Sequence, residues 1–152
     1  MKYWWVNHNK TWKHEVGGGY IWSPQLDASG KTQYHWENMR RVNKGDIIYS
    51  CYSSKIQCVG VISSEAYDYV RPGDFGDAGE AWGRDGWKVD VAFKELSAPL
   101  DYRLFWDELQ PLLPEKYSPI NYTKHPREGY LFEVPDAMAA LIFGNLIIDQ
   151  LS

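Results

Sequence analysis

The chain has 152 residues, 44% of them apolar, 24% charged and 16% aromatic, and a formal net charge of −4. That length suits one hydrophobic core and is too short for two, and no apolar run is long enough to span a bilayer. The opening Met1-Lys2-Tyr3-Trp4-Trp5-Val6 lacks the long apolar stretch of a signal peptide, so a single domain working in the cytoplasm is expected.

Taken in chain order, Tyr3 to Asn7 is rich enough in aromatic and β-branched residues to open the fold as a strand. His8 to Gly19 is polar and ends in Gly17-Gly18-Gly19, which reads as a flexible loop. Those glycines serve either flexibility or a close backbone approach. Tyr20 to Pro24 is a short extended stretch that Pro24 ends. Tyr34 to Val42 suits a short helix with Trp36, Met39 and Val42 turned inward. Ile47 to Tyr52 and Ile56 to Ser64 form a hairpin about Ser53-Ser54-Lys55, and counting from that turn places Gly60 opposite Tyr49. Glu65 to Val70 continues the second strand. Arg71 to Asp85 is a long loop rich in Gly and Pro, of the kind that more often serves function than packing. Trp87 to Phe93 alternates strictly and is the clearest strand. Leu104 to Leu113 reads as a helix, Tyr130 to Val134 as a last strand, and Pro135 opens a C-terminal helix.

The same turn count sets Cys51 against Cys58. The pair is either a strained cross-strand disulfide or, in a reducing compartment, two small core residues.

Charge is unevenly spread. Residues 1–45 hold seven Lys or Arg against three Asp or Glu, whereas the rest of the chain is acidic. A local basic surface can track phosphates on an acidic protein; ordinary variation of a solvated surface is the competing reading.

Motifs for chemistry are missing. Ser29-Gly30-Lys31-Thr32 resembles the end of a phosphate-binding loop, but Gln25 stands where that loop needs its first Gly. His8, His14, His35 and His125 show no metal-ligand spacing with the two cysteines. No serine lies in a nucleophile elbow. Neither catalysis, a metal nor a cofactor is expected.

Eight tryptophans are a large excess. Such rings serve either an aromatic core or stacking sites. Trp4, Trp5, Trp87 and Trp106 suit the core. Trp22 and Trp82 stand in turn-rich contexts where core and pocket wall are equally good readings. A pocket for a flipped base needs two aromatic walls and short polar groups at the base edge. Trp22 and Trp82 can be the walls, with Ser23, Asn7 and Asn9 reading the edge.

The segments Tyr3-Trp4-Trp5-Val6-Asn7, Ile21-Trp22-Ser23-Pro24, and Asn38-Met39-Arg40-Arg41-Val42 leading to Gly45-Asp46-Ile47-Ile48 resemble an EVE domain. The resemblance spans residues 1–152 and is narrower to the N-terminal EVE domain of HNH endonucleases that restrict modified DNA. It implies an α+β, PUA-like fold of the EVE/YTH type: a compact, β-barrel-like sheet flanked by short helices. By comparison with YTH domains, Trp22 would be a cage wall and Ser23 would offer its backbone to the base's exocyclic amine. Asn7, His8 and Asn9 would contact the base, and Trp82, or Phe75 in its place, would be the second wall. Lys10, Lys13, Lys31, Arg40, Arg41 and Arg84 would hold phosphates. The implied function is reading 5-methyl- or 5-hydroxymethylcytosine in double-stranded DNA by base flipping. The nuclease motif is missing here, so the HNH domain would be fused elsewhere or supplied by a partner. An RNA reader of the YTH or PUA kind and a nucleoside-binding domain are the alternatives.

Overall fold

In the computed structural model, which describes residues 1–73 and 85–151, the aromatic and β-branched runs pair into one curled, half-barrel sheet. The elements are β1 (Tyr3–Asn7), α1 (Trp12–Gly18), β2 (Tyr20–Pro24), α2 (Tyr34–Glu37), β3 (Ile47–Tyr52), β4 (Lys55–Ile62), β5 (Tyr67–Val70), β6 (Asp85–Leu100), α3 (Trp106–Leu109), β7 (Leu131–Val134) and α4 (Asp136–Leu151). The strands lie in the order β2-β6-β4-β3-β1-β7, and β5 also pairs with β6. Among the described strands only β1 and β3 run parallel; the other pairs are antiparallel. This is the expected α+β architecture. Among the described residues no helix is long and apolar enough to cross a membrane.

Strand alternation sends Trp4 and Trp5 to opposite faces of the sheet. Trp5 joins Tyr49, Tyr102, Phe132 and Ile142 in a core that α4 covers. Trp4 joins Val6, Ile21, Met39, Ile48 and Val89 in a second core. Asp46 ties the starts of β1 and β3 together, accepting from the Trp4 indole at 2.9 Å and from the amides of Lys2 and Asn43.

Several local readings change. The stretch after β1 is not a loop throughout: Trp12–Gly18 is helical, although Gly17 and Gly18 disfavour a helix. Buried hydrogen bonds to Glu15, described below, outweigh that propensity. Gly19, at φ +73°, ends the helix in the left-handed conformation. A Cβ on Gly18 would lie 2.5 Å from the Tyr20 ring, so this glycine serves close approach.

The Ser53 and Ser54 pair, both at positive φ, makes a two-residue turn with Tyr52 opposite Lys55. A register shift between Ser50 and Cys51 then sets Cys58 against Ser50 and Gly60 against Ile48. The cysteines therefore do not face each other, and both are free and buried. Residues after β4 do not simply prolong it: Tyr67–Val70 forms a separate strand on β6. The expected helix from Leu104 is broken into 3-10 turns at Tyr102–Phe105 and Gln110–Leu112 about the short α3. Pro111, which has no amide hydrogen, falls in the second turn.

Candidate nucleobase-binding face

Residues directly opposite one another in paired strands project to the same face. Trp22 of β2 is opposite Lys88 of β6, which in turn is opposite Tyr67 of β5. Tyr20 is opposite Asp90, and Tyr69 is opposite Gly86. One face of β2-β6-β5 thus carries Tyr20, Trp22, Gly86, Lys88, Asp90, Tyr67 and Tyr69. The other face carries Ile21 and Val89, which belong to the second core. Tyr20 and Trp22 belong to neither core and form a small cluster of their own.

Gly86 makes room for this arrangement. A Cβ there would lie 2.2 Å from Trp22 Cζ2, so the indole lies flat across the β6 backbone. The indole N–H donates to the Tyr69 carbonyl at 2.9 Å, fastening β2 to β5 across β6. Trp22 is 1% exposed, while Tyr69 is 42% and Tyr67 is 38% exposed. Tyr67 and Tyr69 meet edge to face at 6.3 Å.

A buried polar chain backs β2. The Trp22 amide donates to the Tyr130 hydroxyl at 3.1 Å, and that hydroxyl donates to Glu15 Oε2 at 2.8 Å. Burial, reinforced by the Glu15 carboxylate, pushes the Tyr130 hydroxyl well above the ordinary tyrosine range, so it remains a donor. His8 Nδ1 lies 2.6 Å from the same Glu15 oxygen, and Thr11 Oγ1 donates to Oε1 at 3.5 Å. The other ring nitrogen, Nε2, is buried and without a hydrogen-bond partner among the described residues.

The expected site residues fall into distinct groups. Trp22 lies on the aromatic face, whereas the Ser23 side chain lies on the opposite one, with its hydroxyl 3.1 Å from the Pro24 carbonyl. Asn7 is used within the fold: its Oδ1 accepts from the Trp5 indole, and its Nδ2 donates to the carbonyls of Pro119 and Arg127. His8 sits in the buried chain, and Asn9 is exposed beside it. Phe75, Trp82 and Arg84 lie outside the described residues. Lys10, Lys13, Lys31, Arg40 and Arg41 are exposed. The Arg40 guanidinium lies 5.6 Å from the Trp87 ring centroid and 3.7 Å from Glu37. Arg41 bonds Asn38 and Glu133.

A groove of about 780 Å³ lies elsewhere, between Lys2, Tyr34, Arg41, Tyr117 and Glu133. Its cations Lys2 and Arg41 both pair with Glu133 at 3.1 Å.

Sequence reasoning missed Tyr67, Tyr69 and Lys88. The signal was present in the alternation of Tyr67-Asp68-Tyr69-Val70, had it been read as a strand of its own. Glu15 and Tyr130 carried no such signal, because 115 positions separate them.

No family model and no curated protein matches this sequence. Solved structures do. The Pho92 YTH domain, solved in complex with m6A, superposes with a TM-score of 0.62 at 13% identity, covering 96% of this chain and 86% of that one. The chain has the fold of a YTH domain. A second YTH domain, from the MRB1 protein of Zygosaccharomyces rouxii in complex with N6-methyladenosine RNA, gives a TM-score of 0.60 at 13% identity over 96% and 86% of the two chains. A hypothetical protein from Leishmania major shares the architecture at a TM-score of 0.63 and 15% identity, over 99% and 97%. The PUA-like, α+β class expected from the sequence is therefore the class observed.

Proposed function

We propose that this domain is a non-catalytic reader of a modified nucleobase, with the Trp22 and Tyr69 face as its binding surface. The observation carrying this reading is an aromatic cluster held outside both cores, with Gly86 reserved to let the indole lie flat. A ring serving only stability gains as much within a core, and nothing there requires it beside exposed tyrosines. The YTH-fold neighbours solved with N6-methyladenosine bring a matching ligand class.

Trp22 forms the inner wall and Tyr69 the outer one, and Trp82 or Phe75 is the further wall that the resemblance implies. Since Trp22 is 1% exposed, a base stacks on it only after the groups now over the ring shift. Asn9 reads the base edge and Ser23 contributes backbone, while His8, whose side chain is fully buried behind β2, and Asn7 hold the end of β1 in place. Lys10, Lys13, Lys31, Arg40, Arg41 and Arg84 hold phosphates, Arg41 from the separate groove where it pairs with Glu133. The preferred substrate is DNA containing 5-methyl- or 5-hydroxymethylcytosine, read for an HNH nuclease. An RNA reader of N6-methyladenine is the second reading, favoured by the RNA-bound neighbour.

The test is a binding panel of matched DNA and RNA oligonucleotides, single- and double-stranded, with each modified base and its unmodified counterpart. Tyr69→Ala should lower the preference for the modified base about tenfold or more, because base stacking is worth ~1–3 kcal/mol. Its exposure should leave the melting temperature close to the parent's. A parent that binds every modified oligonucleotide no better than its unmodified match refutes the reading.

A further inference from the structure

We infer that Lys88 is a specificity-determining residue of this face, whose ammonium receives an oxygen acceptor of the bound nucleotide. The inference rests on the reading above and adds a group that neither composition nor motif singled out.

Three observations carry it. Lys88 stands in the middle of the row Trp22, Lys88, Tyr67, the only charged member of that row. Its Nζ lies 4.5 Å from the centroid of Tyr20 and 4.1 Å from that of Tyr69, so rings from both flanking strands hold one cation. Among the described residues it makes no ion pair. The acid nearest in register, Asp90, is already engaged: its Oδ1 accepts from the Tyr67 hydroxyl at 2.7 Å, and its amide donates to Ser64.

Ring faces attract a cation but offer its N–H bonds no lone-pair acceptor of ordinary strength. The ammonium is thus oriented and partly desolvated by carbon while its three donors lack a carboxylate. An oxygen brought in by a ligand stacked on the same rings completes that coordination. The same charge opposes a cationic base, so the face selects neutral or acceptor-bearing ligands. The oxygen can come from the phosphate of the read nucleotide or from a substituent on its base, such as the hydroxyl of 5-hydroxymethylcytosine.

The probes are single-stranded oligonucleotides carrying 5-methylcytosine, 5-hydroxymethylcytosine or N6-methyladenine, together with the corresponding free nucleosides. Lys88→Met keeps an apolar stem of similar reach and should leave the melting temperature near the parent's. It should weaken binding about tenfold, and Lys88→Arg should restore most of the loss. If phosphate is the source, every oligonucleotide weakens, the salt slope falls by about one, and nucleosides are unaffected. If a base substituent is the source, the loss follows 5-hydroxymethylcytosine into the free nucleoside and the salt slope stays unchanged. Parent-like affinity of Lys88→Met for all probes overturns the inference while leaving the aromatic face intact. A parent that prefers no modified probe overturns the reading beneath it as well.

Discussion

Gly86→Ala tests the geometry of the aromatic face at its tightest point. The added methyl would sit 2.2 Å from Trp22 Cζ2, 2.3 Å from Cε2 and 2.5 Å from the Ser23 carbonyl oxygen. Carbon atoms pack at roughly 3.5–4.0 Å, so the indole must retreat by more than 1 Å. Its 2.9 Å bond to the Tyr69 carbonyl cannot survive such a movement, since these bonds end near ~3.2 Å. Overpacking of this kind costs ~1–3 kcal/mol and the lost hydrogen bond ~1 kcal/mol, or about 2–4 kcal/mol together. For a chain of this length that lowers the melting temperature by roughly 5–15 °C. The assay is a thermal double-mutant cycle with Trp22→Ala, read beside affinity for a modified oligonucleotide. With the ring already gone, the alanine at 86 should cost less, the remaining cost being that of its 2.5 Å contact with the Ser23 carbonyl oxygen. A cost equal in both backgrounds would mean that the glycine is not there for the indole, and the argument for the face would fail.

Tyr130→Phe should destabilise the fold by about 2–4 kcal/mol, because it removes the hydroxyl that accepts from the Trp22 amide and takes one donor from buried Glu15; denaturant unfolding measures this, and a loss under 0.5 kcal/mol refutes the bridge. Asp46 provides a pH prediction. Burial raises its carboxyl, but bonds from the Lys2 amide, the Trp4 indole and the Asn43 amide outweigh that, and its value lies below the ordinary 3.8. A depressed carboxylate contributes stability that is present above its unfolded value and is lost as pH falls through the folded one. Stability should therefore drop below about pH 4, and Asp46→Asn should flatten that part of the curve. An acid limb identical in both proteins would remove Asp46 as its source.

How far the sequence alone reaches can be judged element by element. Alternation from Trp87 to Phe93, the aromatic run at Tyr3 and the apolar repeat after Pro135 determined β6, β1 and α4, because period and composition are properties of the chain itself. The fold class came instead from the resemblance to an EVE domain that the segments around Trp5, Trp22 and Gly45 carry. Local propensity misled wherever a distant partner outweighed it. The helix at Trp12–Gly18 carries two glycines and is held by Glu15 against His8 and Tyr130. Trp22 was legible as a special tryptophan, yet its neighbours were not. Whether Tyr69, Lys88 and Gly86 share its face depends on the pairing of β2 and β5 with β6. A shift of one residue in either pairing would turn a different set of side chains to that face. Register is decided by the packing of whole strands, and a single sequence does not display it.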